Sequence, residues 1–138
     1  IMEMDKLITY TNKKQITAND LAQLFKAAGI HRPVNDLPRL QKMLENADIL
    51  WTAWDKQQLV GIARALTDFS YACYLSDLAV TKSHQKQGIG RNLIEKLRSQ
   101  IGADVSLVLL AAPSALEYYP KVNFEKIDNA FLRRRRPF

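Results

Sequence analysis

The chain has 138 residues, 47% of them apolar, with five Gly and five Pro, which is the size and make-up of one folded domain over 1–138 and excludes a disordered chain. Its formal charge is +6, yet four of the positive charges are the consecutive Arg133, Arg134, Arg135 and Arg136, so net charge alone does not choose between nucleic acid, an acidic membrane and a polyanionic small molecule. The single Cys73 excludes an internal disulfide framework and a cysteine-built zinc cluster; no apolar run approaches the ~20 residues of a membrane span, and residues 1–6 lack the basic-then-apolar pattern of a secretion signal, so a cytoplasmic protein is expected.

In chain order, residues 7–10 form a short β-prone run. Thr17 offers a helix N-cap, with Asp20 three residues on as an imperfect capping box. Leu21, Leu24, Phe25 and Ala28 follow at helical spacing, and Gly29 is a natural stop. Residues 30–37 hold two prolines and read as a loop. A second helix fits 38–47, with Pro38 in its first turn and Leu40, Met43 and Leu44 on one face. The pattern then changes: 49–54 and 59–66 are β-prone runs around a turn at 55–58, and 72–80 is a third strand. A helix over 90–101 carries Leu93, Ile94 and Leu97 on one face. Residues 105–111 are an apolar run short enough for a buried strand, 114–119 a short helix, and 124–132 a final strand or hairpin. The order β-αα-βββ-α-β-α-β(β) predicts an α/β (α+β) fold, with a mixed central sheet of about six or seven strands and about four helices packed against it.

Chemistry concentrates after the strand that ends at Val80. There Gln85, Lys86, Gln87, Gly88, Ile89, Gly90 and Arg91 lead into a helix. A helix N-terminus exposes unpaired N–H groups and a partial positive charge, glycine lets a ligand approach the backbone, and Lys86 and Arg91 add full charges. A diphosphate fits. The Walker pattern would need Lys and Ser or Thr after Gly90, where Arg91 and Asn92 stand. The Rossmann fingerprint would need glycine at Leu93 and a place in the first strand–helix unit.

Gln85-x-x-Gly88-x-Gly90 matches the Q/R-x-x-G-x-G/A signature of the GNAT N-acetyltransferase superfamily. The preceding strand, Leu75-Ser76-Asp77-Leu78-Ala79-Val80, resembles its acetyl-CoA-binding strand. Ala115-Leu116-Glu117-Tyr118-Tyr119-Pro120-Lys121-Val122-Asn123-Phe124 resembles its A-x-x-F-Y-x-K-x-G-F segment. The element order matches too, and the chain is most similar to small single-domain bacterial members. The resemblance implies an acetyl-CoA-dependent N-acyltransferase acting on a primary amine, without metal. It implies that amides of Gln85 to Arg91 hold the CoA pyrophosphate and that Leu78, Ala79 and Val80, on a strand that splays from its neighbour, hold the thioester and pantetheine arm. Tyr119 would be the general acid toward the CoA thiolate, and Asp77 the nearest candidate base, acting directly or through water. The acceptor would be lined by the first two helices, the 30–37 loop, Arg64 and Asp68; His31 and Arg32 hint at an anionic or polar one. Homodimers are common in the family.

Two positions depart from the pattern. Asn123 stands where the family has glycine, and asparagine tolerates left-handed angles. Pro120 disfavours helical angles at Tyr119. Plainer readings exist for each residue: a tight turn for Gly88 and Gly90, a half-buried packing ring for Tyr119, a structural carboxylate paired with Arg64 for Asp77. His31 and His84 read as exposed loop residues, Cys73 as a small core residue, Trp51 and Trp54 as sheet packing, and the four arginines as a solvated tail. Two rival functions remain at this point, a CoA-sensing module without catalysis and a basic nucleic-acid-binding domain; the second lacks an aromatic stacking platform or base-reading motif.

Overall fold

The computed structural model describes residues 7–138; the N-terminal stretch read above for a secretion signal lies outside them. The first strand, β1 (Ile8–Thr11), leads to α1 (Ala18–Ala28). The capping box closes both ways: the Asp20 N–H donates to Thr17 Oγ1 at 3.0 Å and the Thr17 N–H to Asp20 Oδ2 at 2.9 Å. Gly29 ends the helix in the left-handed region. Asp36 caps α2 (Leu37–Glu45) by accepting the Arg39 N–H.

An antiparallel meander follows: β2 (Ile49–Asp55), β3 (Gln58–Thr67) and β4 (Ala72–Val80). The first turn is the expected one, with Lys56 at φ 56°. The second is built by Asp68, whose carboxylate accepts the N–H groups of Ser70, Tyr71 and Ala72; those bonds hold its pKa below the usual carboxylate value. Then come α3 (Ile89–Ile101) and β5 (Ser106–Val108). The sheet order is β1-β2-β3-β4-β5, antiparallel except for the parallel β4–β5 pair.

Each face of the sheet has its own apolar layer. On one, α3 buries Ile89, Leu93, Ile94 and Leu97 against Ala63, Ala65, Cys73 and Leu75. On the other, α1 and α2 bury Leu21, Leu24, Phe25 and Leu40 against Ile62 and Ala79. Each fully buried Leu, Ile or Phe stabilises the fold by roughly 1.5–3 kcal/mol, so the two layers dominate its stability.

The mixed α/β architecture is as expected, but the described residues hold five strands and three α-helices rather than six or seven and four. The expected helix at 114–119 is replaced by two 3-10 turns, Pro113–Ala115 and Tyr119–Val122; Pro120 brings no N–H to the Leu116 carbonyl, so an α-helix cannot run on through it. The strand expected over 105–111 pairs only at Ser106–Val108. The strand or hairpin expected over 124–132 is absent: the edge it would extend is three residues long, and Phe131 is 98% exposed. The tail instead returns to the α1–α2 loop, where Phe138 stacks on His31 at 4.4 Å.

Candidate functional site

The site begins with a parting of the sheet. β4 and β5 pair only at Ala72↔Ser106, Cys73↔Leu107 and Tyr74↔Val108. From Leu75 to Val80, β4 has no strand on that side among the described residues. An extra residue drives the divergence. Arg64 pairs with Asp77 and Ala65 with Leu75, leaving Ser76 as a bulge, and a bulge bends and over-twists its strand. Leu78, Ala79 and Val80 therefore lie along an open strand edge, as a splayed strand requires.

Beyond Val80 the chain makes a 3-10 turn (Lys82–His84) and enters α3. The Gln85 side chain donates to the Val80 carbonyl at 2.9 Å, tying the loop to the strand end. Lys86 (φ 64°) and Gly88 (φ 84°) are left-handed. Gly88 is the helix N-cap and gives no side-chain cap. Among the described residues, the N–H groups of residues 86–91 find no acceptor; the first amide of this stretch to do so is that of Asn92, on the Gly88 carbonyl at 3.0 Å. A β-carbon at Gly88 would meet nothing within 4 Å, so the concavity opens outward. Unpaired donors at a positive helix end, in open space, are an anion cradle.

Gly90 has a different reason to be glycine. A β-carbon there would lie 2.7 Å from the Tyr118 hydroxyl. Tyr118 thus reaches over the start of α3, a placement the sequence reading did not anticipate. Tyr119 lies beside it, edge-on at 5.2 Å and edge-on to Phe124 at 5.5 Å. Burial pushes both phenols above their ordinary pKa; the Tyr118 ring raises Tyr119 further and Arg32 pulls it partly back. Both therefore hold their protons at neutral pH. Asn123 adopts the left-handed turn expected of it, at φ 71°.

On the α1–α2 face, Asp77 is 1% exposed and shared by two arginines. The Arg32 Nε donates to its Oδ1 and the Arg64 Nε to its Oδ2. Arg64, also buried, donates further to Ser76 Oγ and the Met43 carbonyl. The ion pair with Arg64 is the structural partnership considered for Asp77 above; Arg32 is the partner that the sequence did not signal. Asp68, read as a lining of the acceptor, makes the β3–β4 turn instead.

His84 corrects an expectation. It is 4% exposed rather than a solvated loop residue. Its Nε2 lies 2.8 Å from Asp55 Oδ2, and its Nδ1 contacts Ser83 Oγ (2.8 Å) and Thr81 Oγ1 (3.1 Å). The ring pins the loop to the β2–β3 turn. His84→Ala is expected to cost about 1–3 kcal/mol through lost hydrogen bonds, measured as a lower urea midpoint. Trp51 and Trp54 pack on the sheet as expected, their indole N–H groups donating to Gln100 and Thr52. Cys73 is buried, and burial pushes its thiol pKa up, away from nucleophilic use. A recess of about 720 Å³ opens between α3 and β1–β2, lined by Tyr10, Trp51, Asn92 and Lys96 among others. Among the described residues no group of three or more His, Cys, Asp or Glu could hold a metal ion, and no helix is long and apolar enough to cross a membrane.

Comparison with known proteins gives this geometry a context. The family model described as an acetyltransferase (GNAT) domain matches residues 12–138. An uncharacterized N-acetyltransferase, ycf52, of Pyropia yezoensis is 30% identical over 128 residues, covering 88% of this chain and 72% of that protein. The chain spans only 29–32% of two longer relatives from Glycine max. A probable acetyltransferase of unknown function from meticillin-resistant Staphylococcus aureus superposes with a TM-score of 0.82 at 25% identity, covering 96% of this chain and all of that one. The fold is also that of AAC(6')-Iy, solved with a bisubstrate analogue joining CoA to acetylneamine: TM-score 0.69, 16% identity, 95% and 99% covered.

Proposed function

The chain belongs to the GNAT acetyltransferase family, and from that premise we propose that it transfers an acetyl group from acetyl-CoA to a primary amine by direct attack. The observation that carries the reading is the continuity of two open features: uncapped amides at residues 86–91 run directly into the unpaired edge of β4. Together they fit a pyrophosphate followed by an extended amide-bearing arm.

In this reading the N–H groups of Lys86 to Arg91 hold the pyrophosphate, while the Gln85 N–H stays on the Lys82 carbonyl, and the Lys86 and Arg91 side chains are neighbouring charges. Leu78, Ala79 and Val80 pair with the pantetheine arm as an added strand would, and an N–H on this edge stabilises charge on the thioester oxygen. One such donor is worth ~10²–10³ in rate in other enzymes. The amine nitrogen bonds to the thioester carbon as the carbon–sulfur bond breaks. The nitrogen loses a proton to water, and the departing sulfur takes one from the Tyr119 phenol, which is replenished from solvent. Like any phenol, Tyr119 carries its proton at neutral pH, and burial raises its pKa further. Asp77, committed to two guanidiniums and closed to solvent, serves better as an anchor for them than as the base. A cytoplasmic setting suits this chemistry.

The test is release of free thiol from acetyl-CoA with a mixed panel of amines. Tyr119→Phe is expected to slow turnover by about 10²-fold, the low end for a general acid, with CoA affinity within twofold in calorimetry. Wild-type turnover in that variant would remove the acid role. CoA binding without thiol release from any amine would mark a binding module.

A further inference from the structure

The cluster around Asp77 carries one more positive charge than negative. Arg64 is buried, with three donor bonds, whereas the Arg32 side chain is 30% exposed. A guanidinium has five N–H donors. Arg32 spends three, its Nε on Asp77, one Nη1 hydrogen on the His31 carbonyl at 2.8 Å and one Nη2 hydrogen on the Ser76 carbonyl at 3.1 Å. The other two find no acceptor among the described residues. The bond to Ser76 fixes the guanidinium against the bulge of β4, on the open stretch of that strand. Asp77 is already shared by the two arginines.

We propose that the acceptor is an amine that also carries a carboxylate, and that the two uncommitted N–H groups of Arg32 hold that carboxylate beside the open stretch of β4. The proposal rests on the acetyl-transfer reading above and names its substrate class. A fixed, half-exposed guanidinium with a spare pair of donors suits a carboxylate, to which arginine binds bidentately. The single excess charge is balanced by a single anion, whereas a polycationic amine brought to the same place meets repulsion. This separates the chain from its structural neighbour solved with an acetylneamine-bearing analogue.

The experiment compares thiol release from acetyl-CoA with glycine, glutamate and an acidic dipeptide, with their carboxamide counterparts, and with spermidine and an aminoglycoside. The carboxylated amines are expected to be turned over with kcat/KM about 10–100-fold above their amides, the range for a charge-assisted hydrogen-bonded pair. Arg32→Gln is expected to raise KM for them by a similar factor and leave CoA affinity within twofold; Arg32→Lys, which keeps the charge and loses the fork, is expected to recover part. The wild-type comparison needs no variant to fold. No release with the carboxylated amines, or release from polycationic amines indifferent to Arg32→Gln, overturns the assignment and leaves the acetyl-CoA reading standing. Failure of the wild-type protein to bind CoA in calorimetry overturns both.

Discussion

Gly88→Glu is expected to abolish CoA binding, raising the dissociation constant by at least 10²-fold in isothermal calorimetry. Gly88 caps α3 at φ 84° with free space beyond its Cα, so a new side chain enters the cradle rather than the core. A glutamate there places a carboxylate among the amides that would meet phosphate. It supplies the missing cap and repels the ligand; two unit charges ~4 Å apart at an effective dielectric of ~20 interact by about 4 kcal/mol. Gly88→Ala is the control. It brings only the strain of an L-residue in the left-handed region, about 1–2 kcal/mol, and little change in affinity. Calorimetry that finds the glutamate variant binding CoA like wild type would take the phosphate site away from this loop.

Asp77→Ala is expected to be the most destabilising single change, lowering the free energy of unfolding by about 3–5 kcal/mol in urea titration. Removing one member of a buried ion pair strands the other, which costs far more than the pair contributes net. Here the stranded groups are two: Arg64, 6% exposed, and Arg32. Domains of this size are stable by only ~5–15 kcal/mol, so a large part of the margin would go. The double variant Asp77→Leu with Arg64→Met should regain part of the loss, because no buried charge is then left without a partner on β3. An unchanged midpoint in Asp77→Ala would mean that the cluster contributes nothing to the fold.

The parts of this structure that local sequence determines were legible in it. The capping box of Thr17 and Asp20, the stop at Gly29, the turn around Lys56 and the α3 stripe of Leu93, Ile94 and Leu97 each depend on residues within one or two helical turns. So does the glycine pair at 88 and 90, although only the structure gives the two glycines separate duties. What escaped was set by distant partners or by competition. His84 reads as a polar loop residue until Asp55, 29 positions away, closes over it. Arg32 lies 45 positions from Asp77, and no spacing rule links a loop arginine to a strand carboxylate. Residues 113–122 have helical composition, but Pro120 denies the Leu116 carbonyl its α-helical partner and the segment folds as two 3-10 turns. Residues 124–132 have strand-like composition, but a strand needs a neighbour to pair with.

Strand order in this sheet equals chain order. The β2–β3 and β3–β4 pairs are each closed by a short turn, and the entropy of closing short loops is small. Such local wiring favours fast assembly. β1 and β2 must wait for the two helices between them, and β4 and β5 for α3, after which that last pair zips for just three residues. The gap is thus inexpensive to keep: the rigid meander carries the cooperativity of folding, and the seam that stays unzipped is the one whose closure would have contributed least.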